Sequence, residues 1–315
     1  MANIVVTNYC NLQCPYCFAN RYITEEEKQN ITIEELNKIL EWLGKTHPSR
    51  IGLIGGEPTI HPEADKIFAR AKEFAKERNS GVVLFTNGIK LYDYANHFDE
   101  HFHALINVNH PDVLGDKKWS DLERSLRRVN TRGEIKSINI GINLYPNMYG
   151  YDYIFELAKK YSFERIRTSY VAPTCQFSDV DKDEYYTSAK DIFIPFVEKA
   201  KSLGIRVGID CNHIPLCYFT DEEKESIMCA TENWHSYCNP VVDITPDMKG
   251  TSCFGAYDLV DLSRFDNIQE AERYLMFKKM YPKAKANSGG KCADCSKFEN
   301  LSCQGGCLAF SNGKA

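Results

Sequence analysis

The chain has 315 residues, of which 43% are hydrophobic and 26% charged, with a formal net charge of −5; that is the profile of a globular protein with a sizeable core, one large domain plus an appendage. Nothing in this balance points to nucleic acid or to an anionic membrane as a partner, and no apolar run is long enough to span a bilayer. The N-terminus lacks the basic start and apolar stretch of a signal peptide, so 13 cysteines argue for metal ligation in a reducing, cytoplasmic setting rather than for disulfides.

Residues 3–7 read as a short buried strand, β-branched and bounded by polar residues. A cysteine-rich loop follows at once. Thr32, with Glu35 three residues on, opens a helix whose Leu36, Ile39, Leu40 and Leu43 repeat at helical spacing. A second strand over 50–54 ends in Gly55-Gly56-Glu57-Pro58-Thr59, and a helix over 62–78 carries Ile67, Phe68, Ala71, Phe74 and Ala75 as its apolar stripe. The alternation continues with a strand over 81–85 ending in Thr86-Asn87-Gly88, a short helix over 91–98, a strand over 103–108, a helix over 119–129 and a strand over 138–144. A helix over 151–161, a strand over 165–171, a long helix over 183–203 and a further strand over 205–210 complete the series.

Six strand–helix pairs in series imply a parallel sheet with right-handed crossovers. They are too few to close an eight-stranded barrel. The expected fold is therefore α/β, a partial (β/α)6 barrel over residues 1–210. After Asp210 apolar periodicity weakens and cysteines become frequent. Residues 211–315 read as a small cysteine-rich domain stapled by metal.

Within the first loop, Cys10, Cys14 and Cys17 have the spacing C-x3-C-x2-C. Three thiolates hold three irons of a four-iron cluster and leave the fourth open to a small molecule. The plainer alternatives are a zinc site, which wants four ligands and finds no His nearby, and a ferredoxin loop, whose fourth cysteine is distant because the next one is Cys175. With Tyr16 at the aromatic position, the loop resembles the C-x3-C-x-aromatic-C signature of the radical SAM superfamily. The resemblance implies a [4Fe-4S] cluster whose open iron chelates the amino and carboxylate groups of S-adenosylmethionine. It further implies one-electron cleavage to methionine and a 5′-deoxyadenosyl radical, with a flavodoxin- or ferredoxin-type reductant as partner.

In parallel βα barrels the functional groups sit at the C-terminal ends of the strands. Gly55 and Gly56 permit close backbone approach to a ligand, and the family resemblance gives Gly55, Gly56 and Glu57 the amino group of the methionine moiety. Thr86, Asn87, Asn107 and Asn143 are candidates for ribose or carboxylate contacts, although Asn at a strand end often only closes a turn. Asn109, Arg167 and Ser169 also fall at strand ends, and the histidines, in no metal-binding pair, read as structural or surface residues, with His110 after the fourth strand the one to test.

The C-terminal run Cys292-x2-Cys295-x7-Cys303-x3-Cys307 resembles the SPASM extension of radical SAM enzymes, with a longer middle gap. Upstream, Cys238, Gly250 and Cys253 match its Cys–Gly–Cys in order; its last cysteine has no counterpart in the eight residues after Cys307. By that analogy Cys238, Cys253 and Cys307 hold a first auxiliary [4Fe-4S] cluster with Cys229 as fourth ligand and Cys217 as second choice. Cys292, Cys295 and Cys303 would hold another, so one or two auxiliary clusters are expected. A zinc knuckle on Cys292, Cys295, Cys303 and Cys307 is the simpler reading. Of the remaining cysteines, Cys175 and Cys211 follow strand ends and are candidate hydrogen donors to a substrate radical, against the default of small buried hydrophobes. Phe254 stands where the sulfatase-maturing branch has an acidic residue.

SPASM members commonly modify ribosomally made peptides by thioether or C–C crosslinks, epimerisation or oxidation, and that is the expected function. The first strand begins at Asn3, which leaves no room before it for a leader-binding domain; a separate leader-binding protein would then present the peptide. The alternatives are dehydrogenation or rearrangement of a small metabolite and, outside enzymes, an iron–sulfur electron carrier or a zinc-stapled binding module.

Overall fold

The computed structural model describes residues 1–17, 19–25, 27, 29–130, 138–171, 181–210, 214–232, 234–238, 241–255, 258–287 and 290–313. In chain order the strands are β1 (Ala2–Thr7), β2 (Arg50–Gly55), β3 (Gly81–Thr86), β4 (Phe102–Asn107), β5 (Ile138–Leu144), β6 (Arg165–Tyr170), β7 (Arg206–Ile209), β8 (Val242–Ile244), β9 (Lys249–Thr251) and β10 (Val260–Asp261). The helices used below are α1 (Asn20–Glu25), α2 (Ile33–Leu43), α3 (Ala64–Glu77), α4 (Pro111–Asn130), α5 (Asp152–Tyr161), α6 (Lys182–Ser202) and α7 (Asp221–Ala230).

The chain divides into two compact units, the first made of Met1–Cys14, Ala19–Ile138 and Pro240–Lys279, the second of Pro15–Phe18, Asn139–Asn239 and Met280–Ala315. In the first unit β1 pairs in parallel with β2, β2 with β3 and β3 with β4. The C-terminal ends of these strands therefore share one edge. On its other side β1 pairs in parallel with β8, which continues antiparallel into β9 and β10. Residues 240–279, expected with the cysteine-rich appendage, thus pack with the first unit. Asn3 Nδ2 donates to Asp243 Oδ1 at 2.7 Å across the β1–β8 pair.

The helices of this unit follow the expected stripes. Thr32 and Glu35 form a capping box, with Glu35 N to Thr32 Oγ1 at 3.1 Å and Thr32 N to Glu35 Oε2 at 2.8 Å. Leu36, Ile39, Leu40 and Leu43 on α2 are buried, as are Ile67, Phe68, Ala71, Phe74 and Ala75 on α3. Each large side chain so buried contributes about 1.5–3 kcal/mol. The helix expected over 119–129 begins earlier, at Pro111. Proline suits a first helical position, and Gly115, at φ +71°, breaks the helix four residues on. The segment expected as a helix over 91–98 is a 3-10 helix over Leu91–His97.

In the second unit β5, β6 and β7 are parallel neighbours in that order. α5 buries Ile154, Phe155, Leu157 and Ala158, while α6 buries Phe193, Phe196 and Val197. Phe155 and Phe196 stack with centroids 5.1 Å apart. Among the described residues no helix is long and apolar enough to cross a membrane.

Candidate active site

The end of β2 is pressed against the chain leaving β1. Gly56 N donates to Thr7 O and Glu57 N to Tyr9 O, both at 2.8 Å. A Cβ at Gly56 would collide with the carbonyl of Tyr9, and one at Gly55 with the carbonyl of Thr7; Gly55 also has φ +151°. The two glycines are thus required by the approach of this chain's own backbone just before Cys10, where the sequence implied an approach to a ligand. Thr7 Oγ1 accepts from Tyr9 N at 3.1 Å and donates to Asn30 Oδ1 at 2.7 Å.

Glu57 is 1% exposed. Its Oε1 accepts from Thr59 N (3.0 Å), Thr59 Oγ1 (2.6 Å) and Thr86 Oγ1 (2.7 Å), and its Oε2 from Asn87 N (2.7 Å). Burial pushes the carboxyl pKa up while these four donors pull it back. The carboxylate expected to receive a ligand's ammonium therefore joins the ends of β2 and β3. Thr86 and Asn87, expected as ligand contacts, are its partners.

The Asn87 side chain reaches further, with Nδ2 donating to Asn11 Oδ1 at 2.8 Å, and Lys118 Nζ donates to Asn11 O at 3.2 Å. Asn11 lies between Cys10 and Cys14, so β3 and α4 both grip the cysteine loop. Leu12 N donates to Cys10 Sγ at 3.5 Å. The sequence reading passed over Asn11; its position inside the C-x3-C spacing was the only signal. Asn107, at the end of β4, has a buried Oδ1 with no hydrogen-bond partner among the described residues. His61 is structural as expected: Nδ1 accepts from Glu63 N and Nε2 faces Ile31 O, both at 3.0 Å, so the neutral ring donates from Nε2. Burial lowers its pKa in keeping with that.

In the second unit Tyr16 is buried, its ring 5.0 Å from that of Tyr145. Asn143 Oδ1 accepts from Ser169 Oγ at 2.6 Å, and Arg167 pairs with Asp210. Both hydrogen-donor candidates, Cys175 and Cys211, lie outside the described residues.

The C-terminal cysteines of this unit have ordered surroundings. Gln304 Nε2 donates to Cys238 Sγ and to Gly306 O, both at 2.9 Å. Cys307 is buried, and its N donates to Tyr186 Oη at 2.7 Å. Gly306, at φ +111°, leaves the room that this phenol occupies. Burial, then the nearby Cys307, pushes the Tyr186 phenol far up. Cys229 is exposed on α7. Cys253 belongs to the first unit, where its N donates to Thr251 Oγ1 at 3.2 Å; Phe254 beside it is buried against Tyr22, with centroids 4.9 Å apart. A packed aromatic ring replaces the acid of the sulfatase-maturing branch.

Among the described residues no three Cys, His, Asp or Glu side chains are gathered around a single ion. A cubane asks for thiols at its corners rather than around one point. Cys10, Cys14 and Cys17 are half-buried on a loop at the C-terminal end of β1. The all-sulfur donor set of the C-x3-C-x2-C run fits a [4Fe-4S] cluster, and Asn87 and Lys118 anchor its first part through Asn11.

Residues 4–138 match the family model described as the radical SAM superfamily. The GTP 3′,8-cyclase of Clostridium botulinum (strain Langeland) is 24% identical over 280 residues, covering 85% of each chain. The 7,8-dihydro-6-hydroxymethylpterin dimethyltransferase of Methanocaldococcus jannaschii is 38% identical over 93 residues, which is 29% of this chain and 18% of that one. Among solved structures, Streptococcus suis SuiB bound to S-adenosylmethionine superposes with a TM-score of 0.64 at 14% identity, over 98% of this chain and 72% of that one. Native anSMEcpe with bound AdoMet and Kp18Cys peptide gives 0.64 at 17% identity, over 97% and 88%. The shared fold is the α/β partial barrel expected from the strand–helix series. Together with the cysteine loop and the Gly-Gly-Glu turn, the family match identifies residues 4–138 as a radical SAM domain.

Proposed function

We propose that this radical SAM enzyme matures a peptide. Cys10, Cys14 and Cys17 would hold the [4Fe-4S] cluster. When bound, the cluster supplies the electron that cleaves S-adenosylmethionine reductively. The chain's own contribution is positioning. Asn87 and Lys118 fix Asn11 inside the cysteine loop, and Glu57 ties the ends of β2 and β3 beneath it. The Asn107 Oδ1 offers an acceptor to the ribose or amino group of the bound molecule.

The observation that carries the peptide reading is the extent of the fold match. SuiB bound to its precursor peptide SuiA covers 98% of this chain with a TM-score of 0.57, so the likeness includes the C-terminal cysteines. A reductant of the flavodoxin or ferredoxin type and one or two auxiliary clusters belong to the same reading. A second reading rests on the GTP 3′,8-cyclase relatives, aligned over 85% of the chain: a small molecule as substrate.

Anaerobically reconstituted enzyme with reductant and S-adenosylmethionine, offered GTP in one arm and peptides from adjacent reading frames in the other, separates the two. Mass spectrometry should show a peptide that loses hydrogen with 5′-deoxyadenosine formed in step. Consumption of GTP with no peptide product contradicts the proposal.

A further inference from the structure

Cys217 sits in a 3-10 turn over Leu216–Tyr218 and is exposed. Two sets of contacts inside the second unit tie this turn to the C-terminal cysteine run. Asp183, in the first turn of α6, accepts from the Tyr218 hydroxyl on Oδ1 and from Lys291 Nζ, at 3.2 Å, on Oδ2. One carboxylate so clamps the residue after Cys217 to the residue before Cys292. Ser236 Oγ donates to Ile214 O at 2.9 Å and lies 3.4 Å from Cys303 Sγ, while Gln304 N donates to Ser236 O at 2.9 Å. Cys303 is thereby tied to the segment that begins three residues before Cys217.

The other two thiols belong to the same patch. Cys295 N donates to Cys292 O at 3.2 Å, closing the C-x2-C turn, and Cys303 N donates to Lys297 O at 3.0 Å, bringing Cys303 back beside it. These contacts hold the Cys217 turn, the C-x2-C turn and Cys303 together within the second unit.

We propose that Cys217, Cys292, Cys295 and Cys303 form one four-thiolate iron–sulfur site, with Cys217 as the fourth ligand. The proposal rests on the auxiliary-cluster reading and alters it in two ways. Cys217 leaves the first auxiliary set, where the sequence ranked it second, and the site it completes has no open iron. A closed site holds the C-terminal segment and passes electrons; it does not ligate substrate.

The test starts from the Cys10→Ala, Cys14→Ala, Cys17→Ala variant, reconstituted anaerobically, with iron, sulfide, zinc and EPR as readouts. Adding Cys217→Ala should remove about four irons, or turn one cubane into a three-iron cluster with its own EPR signal. Unchanged iron and an unchanged spectrum overturn the proposal. A colourless, zinc-bearing parent variant overturns the auxiliary-cluster reading and the proposal with it. Because the added substitution could unfold the segment, a second measurement uses the unaltered protein. Cys217, although exposed, should resist alkylation in the loaded protein and react after chelation of iron. Equal alkylation before and after chelation contradicts its ligand role.

Discussion

The Glu57 carboxylate accepts the backbone N–H of Asn87 at 2.7 Å, and with the bond from Thr86 Oγ1 this joins the turn after β2 to the end of β3. Asn87 in turn holds Asn11 inside the cysteine loop. Glu57 thus acts through other residues to set the loop that carries Cys10 and Cys14.

Glu57→Gln tests that role. A glutamine offers one acceptor and one NH2 group to a site with four donors. At least one donor loses its partner, at a cost of about 1–3 kcal/mol. The variant should melt lower and take up less iron, with weaker S-adenosylmethionine binding as a consequence. An unchanged melting temperature and iron content with weakened binding alone would mean that the carboxylate meets the ligand's ammonium directly.

Gly56→Ala addresses the backbone contact. The new methyl group meets the Tyr9 carbonyl, and the strand ends must part to admit it. Overpacking of this kind costs about 1–3 kcal/mol. Denaturant melts and iron analysis should both register the loss. Native stability with full iron loading would show that the contact is dispensable.

The helices were legible in the sequence because α2 and α3 bury the residues that repeat at helical spacing and little else. The strand ends were legible as positions, since β1 to β3 each run into a polar or glycine-containing stretch. What Gly55 and Gly56 make room for was not legible: a glycine reports that space is needed, not which backbone fills it. The short strands after Asp210 carry no period, since β8 and β9 have three residues each and β10 two. Nor does any local pattern announce that Asn3 meets Asp243.

Asp243 gives the stability a pH signature. Burial pushes its pKa up to about 7, only partly offset by the Asn3 amide. Below the ordinary carboxylate range, about pH 4, folded and unfolded chains both hold the proton. Between about 4 and about 7 the unfolded chain releases it while the folded chain keeps it. Stability from this group therefore falls as pH rises through that window and is level above it, by on the order of a few kcal/mol. Asp243→Asn should remove the fall, making the variant more stable than the wild type at pH 8 relative to pH 4 in anaerobic urea melts. An identical difference between the two proteins at both pH values would contradict the buried, proton-holding carboxyl.

The most direct measurement is 5′-deoxyadenosine, quantified by liquid chromatography and mass spectrometry after anaerobic reconstitution with iron, sulfide and reductant. The wild-type protein should form it from S-adenosylmethionine. Cys14→Ala should form none, because two thiolates do not hold the cubane. Wild-type formation of 5′-deoxyadenosine by Cys14→Ala would contradict the account.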